Sequence, residues 1–303
     1  MKVIVTGGAG FVGSHLVEYL ISKKHYPIII DNLKSGKYNN IKQFVTKKQA
    51  DFHKIDIRNL EKLKKVPKVD AIIHLAAVAS VVESITNPSY FNDVNVNGTL
   101  TILEFCKLKK IEKMIFISSG AIFSTKGEEK VSEISNKIPD SVYGASKLCA
   151  EDYCRIFSKL FEIKTVILRP FNIYGLRQNE EYAGVISKFL LRIKNKKAPI
   201  IFGDGKQTRD FIHVHDICRA IEKSLKYNKK RFNDFNLATG NSITIKKLAD
   251  IMISNNNYNK KIIFKKQIPG VVKYSAADVN KAKNELKFKT TVDLRKGLNE
   301  ILE

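Results

Sequence analysis

The sequence predicts an α/β protein: a Rossmann-type doubly wound parallel sheet with a smaller, interleaved α/β substrate lobe. Three observations carry this expectation. The stretch KVIVTGGAGFVG at residues 2–13 passes from an apolar β-type run through four glycines straight into a helical pattern. Short apolar runs then alternate with helical patterns along the first half of the chain, the rhythm of βαβ units. The second run ends in an acid, Asp31, a little under ~20 residues beyond the last glycine of the turn.

Taken in order, Val3, Ile4 and Val5 form the first strand, and Phe11, Val12, Leu16, Val17 and Leu20 give the first helix its apolar face. Between them, Gly8, Gly10 and Gly13 fit G-x-G-x-x-G, while Gly7, Gly10 and Gly13 fit G-x-x-G-x-x-G. Such a turn needs glycine for positive φ and for close approach to a diphosphate, and the first helical turn aims unpaired N–H groups at that anion. The strand Pro27–Asp31 follows. A carboxylate at its end accepts the ribose hydroxyls of NAD and repels the extra phosphate of NADP.

Asp51–Ile55, Ala71–Leu75, Lys113–Ser118 and Lys164–Arg169 complete six strands. After Asn172 the rhythm changes to a polar loop (Leu176–Tyr182), an amphipathic helix (Val185–Lys194), a short strand (Pro199–Phe202) and the turn Gly203–Gly205. Phe211–Leu225 and Phe235–Ala238 read as one more helix and strand returning to the sheet, and Thr244–Ser254 and Asp278–Leu302 as helical. The expected division is a dinucleotide-binding domain of residues 1–174 plus about 211–240, and a lobe of about 175–210 plus 241–303.

A chain of 303 residues can bury a large core. Its formal charge of +23 invites a polyanion, but the lysines are scattered in pairs such as Lys47–Lys48 and Lys196–Lys197, without interleaved aromatics. A solvated lysine coat is expected, with no nucleic-acid partner. No apolar run reaches the ~18 residues of a membrane span, and Met1 leads directly into the first strand, so no membrane partner and a cytoplasmic location are expected. Cys106, Cys149, Cys154 and Cys218 show no metal-site spacing, so no metal is expected and the thiols read as reduced.

The chemistry concentrates at Ser118 and Ser119, which end the fifth strand, and at Tyr143-Gly-Ala-Ser-Lys147, which opens a helix. In an open parallel sheet the carboxyl ends of the strands line the ligand crevice. A helix puts Tyr143 and Lys147 on one face, where an ammonium would lower the phenol pKa toward neutrality, making an acid–base pair. Lys147 could also bond the nicotinamide ribose, and Ser119 the reacting sugar oxygen.

The chain resembles an extended short-chain dehydrogenase/reductase of the NAD-dependent epimerase/dehydratase family, closest to the UDP-glucose 4-epimerases within it. The resemblance rests on TGGAGFVGSH at Thr6–His15, DNLKSG at Asp31–Gly36, DI at Asp56–Ile57, HLAA at His74–Ala77, NVNGT at Asn95–Thr99, YGASK at Tyr143–Lys147, RPFNIYG at Arg169–Gly175 and GDGKQTRDFIHVHD at Gly203–Asp216.

The resemblance implies NAD as cofactor, held by Gly7, Gly10, Phe11, Val12 and Gly13 at the turn and by Asp31, Asn32, Ser35 and Gly36 around the ribose. Asp56 and Ile57 would meet the adenine, with Leu75, Ala76 and Ala77 forming a wall, Asn95 also binding the cofactor, and Phe171 meeting the nicotinamide beside Tyr143 and Lys147. It places Ser80, Ser119 and Asn172 against the sugar nucleotide, Val185, Ile201 and Phe202 around uracil, Arg209 on the diphosphate and Ser275 beside the hexose. The implied reaction is 4-epimerisation of a UDP-hexose through a 4-keto sugar. The implied assembly is a homodimer pairing the helices near Gly98–Lys109 and Tyr143–Lys159.

Two departures from the family pattern bear on substrate. Dehydratases of the family carry an Asp-Glu pair after the catalytic Ser or Thr, and decarboxylases a Glu two positions on, whereas here Gly120 and Ala121 follow Ser119. Near the C-terminus the usual Arg and acid are replaced by Ile268 and Val271, which leaves Lys265 or Lys266 as substitutes or shifts the nucleotide preference. Ser275 stands where a bulky tyrosine in some 4-epimerases blocks an N-acetyl group. Dehydration, decarboxylation, 4-keto reduction and a non-catalytic NAD-binding scaffold remain the alternatives.

Overall fold

The computed structural model describes residues 1–124, 130–178, 184–255, 261–267 and 273–302. Its strands are β1 (Lys2–Thr6), β2 (Tyr26–Asp31), β3 (Asp51–Lys54), β4 (Ala71–His74), β5 (Lys113–Ile117), β6 (Lys164–Pro170), β7 (Asn172–Tyr174), β8 (Ile200–Phe202), β9 (Thr208–His213), β10 (Phe232–Leu237), β11 (Ser242–Thr244) and β12 (Ile263–Lys265). The helices are α1 (Phe11–Ser22), α2 (Lys42–Thr46), α3 (Leu60–Leu63), α4 (Val81–Thr86), α5 (Pro88–Asn92), α6 (Gly98–Lys109), α7 (Val142–Leu160), α8 (Val185–Lys194), α9 (Val214–Lys226), α10 (Ile245–Asn255), α11 (Asn280–Glu285) and α12 (Leu294–Leu302). A π-helical turn, Asp93–Asn97, joins α5 to α6.

The main sheet has the order β10-β6-β5-β4-β1-β2-β3, and every neighbouring pair is parallel. Strand residues alternate between two apolar clusters. Val3, Val5, Ile29, Ile115 and Leu168 enter one with α1 and α9. Ile4, Ile28, Met114, Phe116 and Ile167 enter the other with α6 and α7. Burial on both faces explains why these strands read as continuous apolar runs rather than as alternation.

A third cluster gathers Ile186 and Phe189 of α8, Ile201 of β8, Leu248 and Met252 of α10 and Leu298 of α12. Two small sheets, β11-β9-β7 and β12-β8, border it. Here the sequence reading needs correction. Phe211–His213 belong to β9, paired with β7 and β11, so the helix starts only at Val214. The segment 278–302 holds two short helices, separated at Lys287, whose φ of 54° lies in the left-handed region.

The glycine turn shows why its spacing matters. Gly7 alone of its four glycines has positive φ, at 70°. Gly13 is needed for closeness, since a Cβ there would lie 2.1 Å from the Gly7 carbonyl oxygen, whereas one at Gly10 would meet the same oxygen at 3.2 Å. Gly13→Ala should therefore lower the melting temperature and abolish NAD retention, while Gly10→Ala should be clearly milder. Thermal melts and the NAD content of purified protein check this, and equal behaviour of the two variants would contradict it.

Candidate active site

The carboxyl ends of β1, β2, β4, β5 and β6 open onto a cleft of about 430 Å³. Gly7, Gly10, Phe11, Val12 and Gly13 form its floor. Gly10 caps α1 without a side-chain hydrogen bond, and the first helical turn carries no acid, so the helix end presents N–H groups and positive potential to an anion.

Asp31 lies beside that floor. Its Oδ1 accepts from the Leu33 amide at 2.8 Å and its Oδ2 from the Ala9 amide at 3.0 Å, so each oxygen keeps one acceptor site. Burial pushes its pKa up, against these two hydrogen bonds. Gly36 acts behind it, because a Cβ at Gly36 would sit 2.9 Å from both carboxylate oxygens.

Asn32, Ser35, Asp56 and Ile57 continue the wall. Arg58 forks onto Asp56 at 2.9 and 2.8 Å and reaches Asp93 at 2.5 Å, while Asn32 donates to Asp56 at 2.9 Å. The hydrogen bonds from the Arg58 side chain hold the Asp56 carboxyl well below the usual range. Sequence reasoning missed Lys34, whose ammonium lies 3.8 Å from the centre of the Tyr90 ring at the cleft edge. Only the fold brings those two residues together.

Ser119, Tyr143, Lys147 and Phe171 meet at the other end of the cleft. Ser141 caps α7 by accepting from the Gly144 amide at 3.0 Å, and a Cβ at Gly144 would lie 2.2 Å from the Ala121 carbonyl oxygen. The start of α7 is thereby pressed onto the turn that follows Ser119. Ser119 Oγ accepts from the Ala121 amide at 3.1 Å, and its hydroxyl favours the ionised form of the Tyr143 phenol.

Two features differ from the sequence reading. Burial pushes the Tyr143 pKa up, only partly opposed by Ser119, where the sequence reading had it lowered by Lys147. The Lys147 ammonium instead lies 4.2 Å from the centre of the Phe116 ring. Lys147 is 2% exposed, and burial pushes its pKa down to about 8 against the field of Cys154 and Glu151.

Helix α7 is tied to the sheet by buried charge. Arg169 of β6 donates to both Glu151 oxygens at 2.9 and 2.7 Å and reaches Asp234 at 2.7 Å, and Lys281 completes the network on Asp234 at 2.6 Å. Removing one partner of such a network typically costs about 3–5 kcal/mol.

Leu75, Ala76 and Ala77 line the cleft as expected, but Asn95 stands behind that wall at 1% exposed. It accepts from the Val78 amide at 2.9 Å, donates to the Val78 carbonyl at 3.0 Å and donates to Ser146 Oγ at 2.9 Å. The sequence carries no signal for this, because the π-helical turn that rotates Asn95 inward is not legible in the pattern.

The residues assigned to the sugar nucleotide lie outside the described walls of this cleft, apart from Ser119. Ser80 caps α4, accepting from the Glu83 amide at 3.1 Å. Asn172 donates to the Asp210 carbonyl at 2.9 Å and to Ser275 Oγ at 3.3 Å. Val185 packs on the third cluster with Ile201, and Phe202 is 39% exposed. Burial pushes Arg209 down to about 10, while the Asp210 carboxylate serves Thr239 and Gly240. Ile268 and Val271 fall outside the described residues. Gln178 and Glu83 line the cleft without any motif to announce them.

The residues present fit a dinucleotide. The glycine turn and the uncapped start of α1 line the cleft, and Asp31 keeps free acceptor sites. Ser118 Oγ is buried without a partner in the cleft wall, and Lys147 has no hydrogen-bond acceptor among the described residues. Residues 3–238 match the model of the NAD dependent epimerase/dehydratase family. The chain belongs to this family. Its cofactor is NAD.

A relative from Methanocaldococcus jannaschii described as a putative UDP-glucose 4-epimerase is 37% identical, over 99% of this chain and 97% of its own. The structure of the Thermotoga maritima UDP-glucose 4-epimerase with UDP-glucose superposes with a TM-score of 0.94 at 33% identity, covering 100% of this chain and 97% of that one. A UDP-N-acetylglucosamine 4-epimerase from Methanobrevibacter ruminantium gives 0.94 at 35% identity, covering 99% and 96%. Among the described residues of the present family member, no helix is long and apolar enough to cross a membrane.

Burial pushes His15 and His213 down to about 4 and His74 to about 3. An unfolded histidine titrates near ~6.5, so between that value and ~4 the unfolded chain binds more protons than the folded one. The stability held by neutral imidazoles is complete above pH ~6.5 and is lost as the pH falls toward ~4. Urea denaturation should show stability declining over this window, with a shallower decline in His15→Gln. An unchanged slope in that variant would contradict the assignment.

Proposed function

We propose that the protein is an NAD-dependent nucleotide-sugar 4-epimerase acting on UDP-glucose and UDP-galactose, with N-acetylated hexoses also accepted. The observation that carries this reading is Ser119, Tyr143 and Lys147 gathered at one end of the dinucleotide cleft with no carboxylate after Ser119. Gly120 faces the Phe171 ring at 3.0 Å from where a Cβ would be, so an acid there would have to displace that ring. This disfavours loss of water, which needs an acid at the leaving group.

Tyr143 takes the proton from the sugar O4 and later gives it back. Ser119 bonds the same oxygen and steadies the phenol, and the Lys147 ammonium bonds the nicotinamide ribose and favours the phenolate. Bound NAD supplies the hydride acceptor and, in the reverse step, the hydride donor at C4. Between the two transfers the 4-keto sugar turns over in place while its diphosphate stays on Arg209, whose planar fork suits phosphate oxygens. Val185, Ile201 and Phe202 hold the uracil in the smaller lobe. Asn172 bonds the sugar nucleotide, and the small Ser275 side chain leaves room beside the hexose for an N-acetyl group.

Tyr143→Phe should lower kcat by about 10²–10⁴-fold, the span of general acid–base catalysis, while bound NAD stays in place. Turnover equal to the parent protein's would contradict the assignment.

The assembly proposed is a homodimer in which α6 and α7 pair with their copies. Leu108, Ile156, Leu160 and Phe161 on or just beyond these helices are exposed, which supports an apolar seam. Sedimentation equilibrium should give twice the chain mass of 34.4 kDa, and a monomer at micromolar concentration would contradict the pairing.

A further inference from the structure

His74 ends β4 in register with Thr6 of β1. It is 1% exposed and lies behind the cleft wall rather than in it. Both ring nitrogens are engaged, Nδ1 with Thr6 Oγ1 at 2.7 Å and Nε2 with Thr99 Oγ1 at 3.1 Å.

The protons can be assigned from the neighbours. The single Thr99 hydroxyl hydrogen goes to the Asn95 carbonyl at 2.6 Å, so toward the imidazole Thr99 can only accept and Nε2 carries the proton. Nδ1 is then the acceptor and the Thr6 hydroxyl donates to it. That leaves the Thr6 oxygen to accept from the Leu75 and Ala76 amides, both at 3.2 Å.

The chain of bonds leads to the active site in both directions. Leu75 and Ala76 are cofactor wall. On the other side, Asn95 clamps Val78 and donates to Ser146, whose hydroxyl donates to the Tyr143 carbonyl at 2.8 Å. We propose that His74 is a positioning residue for hydride transfer: as a neutral imidazole protonated on Nε2, it locks the wall at residues 75–78 to the helix that carries Tyr143 and Lys147.

The charge state follows from the same geometry. A proton on Nδ1 would face the Thr6 hydroxyl in place of its acceptor and add a second cation near Lys147, whose field already disfavours it. The kinetic consequence rests on the 4-epimerase reading, whereas the tautomer and the cofactor affinity do not.

The test has three arms. In the ¹⁵N spectrum of histidine-labelled protein, the ring signals lost in His74→Gln should be those of a neutral imidazole protonated on Nε2 from pH 8 down to 5, as His15, whose Nε2 donates to the Leu176 carbonyl, should also be. An Nδ1-protonated ring, or an imidazolium at pH 6, for the signal lost in His74→Gln would overturn the proposal.

His74→Leu should weaken NAD binding by about 3–10-fold. At saturating NAD it should lower kcat about 10-fold or more, because small displacements of catalytic groups cost rate, with KM for the sugar nucleotide within about 3-fold. His74→Gln, whose amide offers both an acceptor and a donor, should recover most of each loss. A folded His74→Leu with unchanged NAD affinity and kcat, or equal impairment of the two variants, would overturn it.

Thr6→Val removes only the hydroxyl and should weaken NAD binding in the same direction if His74→Leu fails to fold. Unaltered affinity in that variant counts against the proposal. An inactive parent protein with the expected tautomer and affinities would instead sink the 4-epimerase reading.

Discussion

A lysine buried at the carboxyl ends of a parallel sheet is the constraint to which the surrounding structure answers. Lys147 is 2% exposed and no side chain among those described accepts a hydrogen bond from it. Its surroundings compensate without consuming its donors. The face of the Phe116 ring lies beneath the ammonium. Glu151, one helical turn on, favours the charge while its oxygens are taken by Arg169. His74, the nearby group that could add positive charge, is held neutral by burial and by the Lys147 field. The ammonium donors are therefore not consumed by the described protein groups, as the proposed bond to the cofactor ribose requires.

Sheet topology brings that lysine to the glycine turn. In the order β10-β6-β5-β4-β1-β2-β3 the direction of growth reverses between β1 and β4, and a crevice opens where it does. The turn after β1 and the acid ending β2 lie to one side of the reversal, and the serines ending β5 to the other. Buried polar bonds, rather than apolar packing alone, fix the register across it. Thr6, His74, Thr99 and Asn95 bridge the two halves, and the Arg169 network binds α7 to β6 and β10. Such groups tolerate little displacement, since each broken bond strands a buried donor or acceptor.

The sequence made the main sheet legible because its strands are buried on both faces and stand out as unbroken apolar runs. The glycine spacing, Asp31 and the Tyr143–Lys147 pair were readable because backbone closeness and helix periodicity act over short distances. Long-range contacts were not. Asn95 was read as a cofactor contact, but a π-helical turn rotates it behind the wall. Phe211–His213 looked helical because three apolar or aromatic residues precede a strong helix, yet β7 and β11 draw them into a sheet. The expected lowering of the Tyr143 pKa considered charge and omitted desolvation, which dominates there.

The central claim is that hydride leaves C4 and returns to the same carbon within one active site. The most direct test is to incubate the protein, with no added NAD, in D₂O with UDP-glucose and separately with UDP-N-acetylglucosamine, following the sugar protons by NMR. The account predicts the galacto epimer with no deuterium in the sugar. Deuterium at C5 or C6 would identify a dehydratase, and no conversion of either substrate would contradict the assignment to a UDP-hexose.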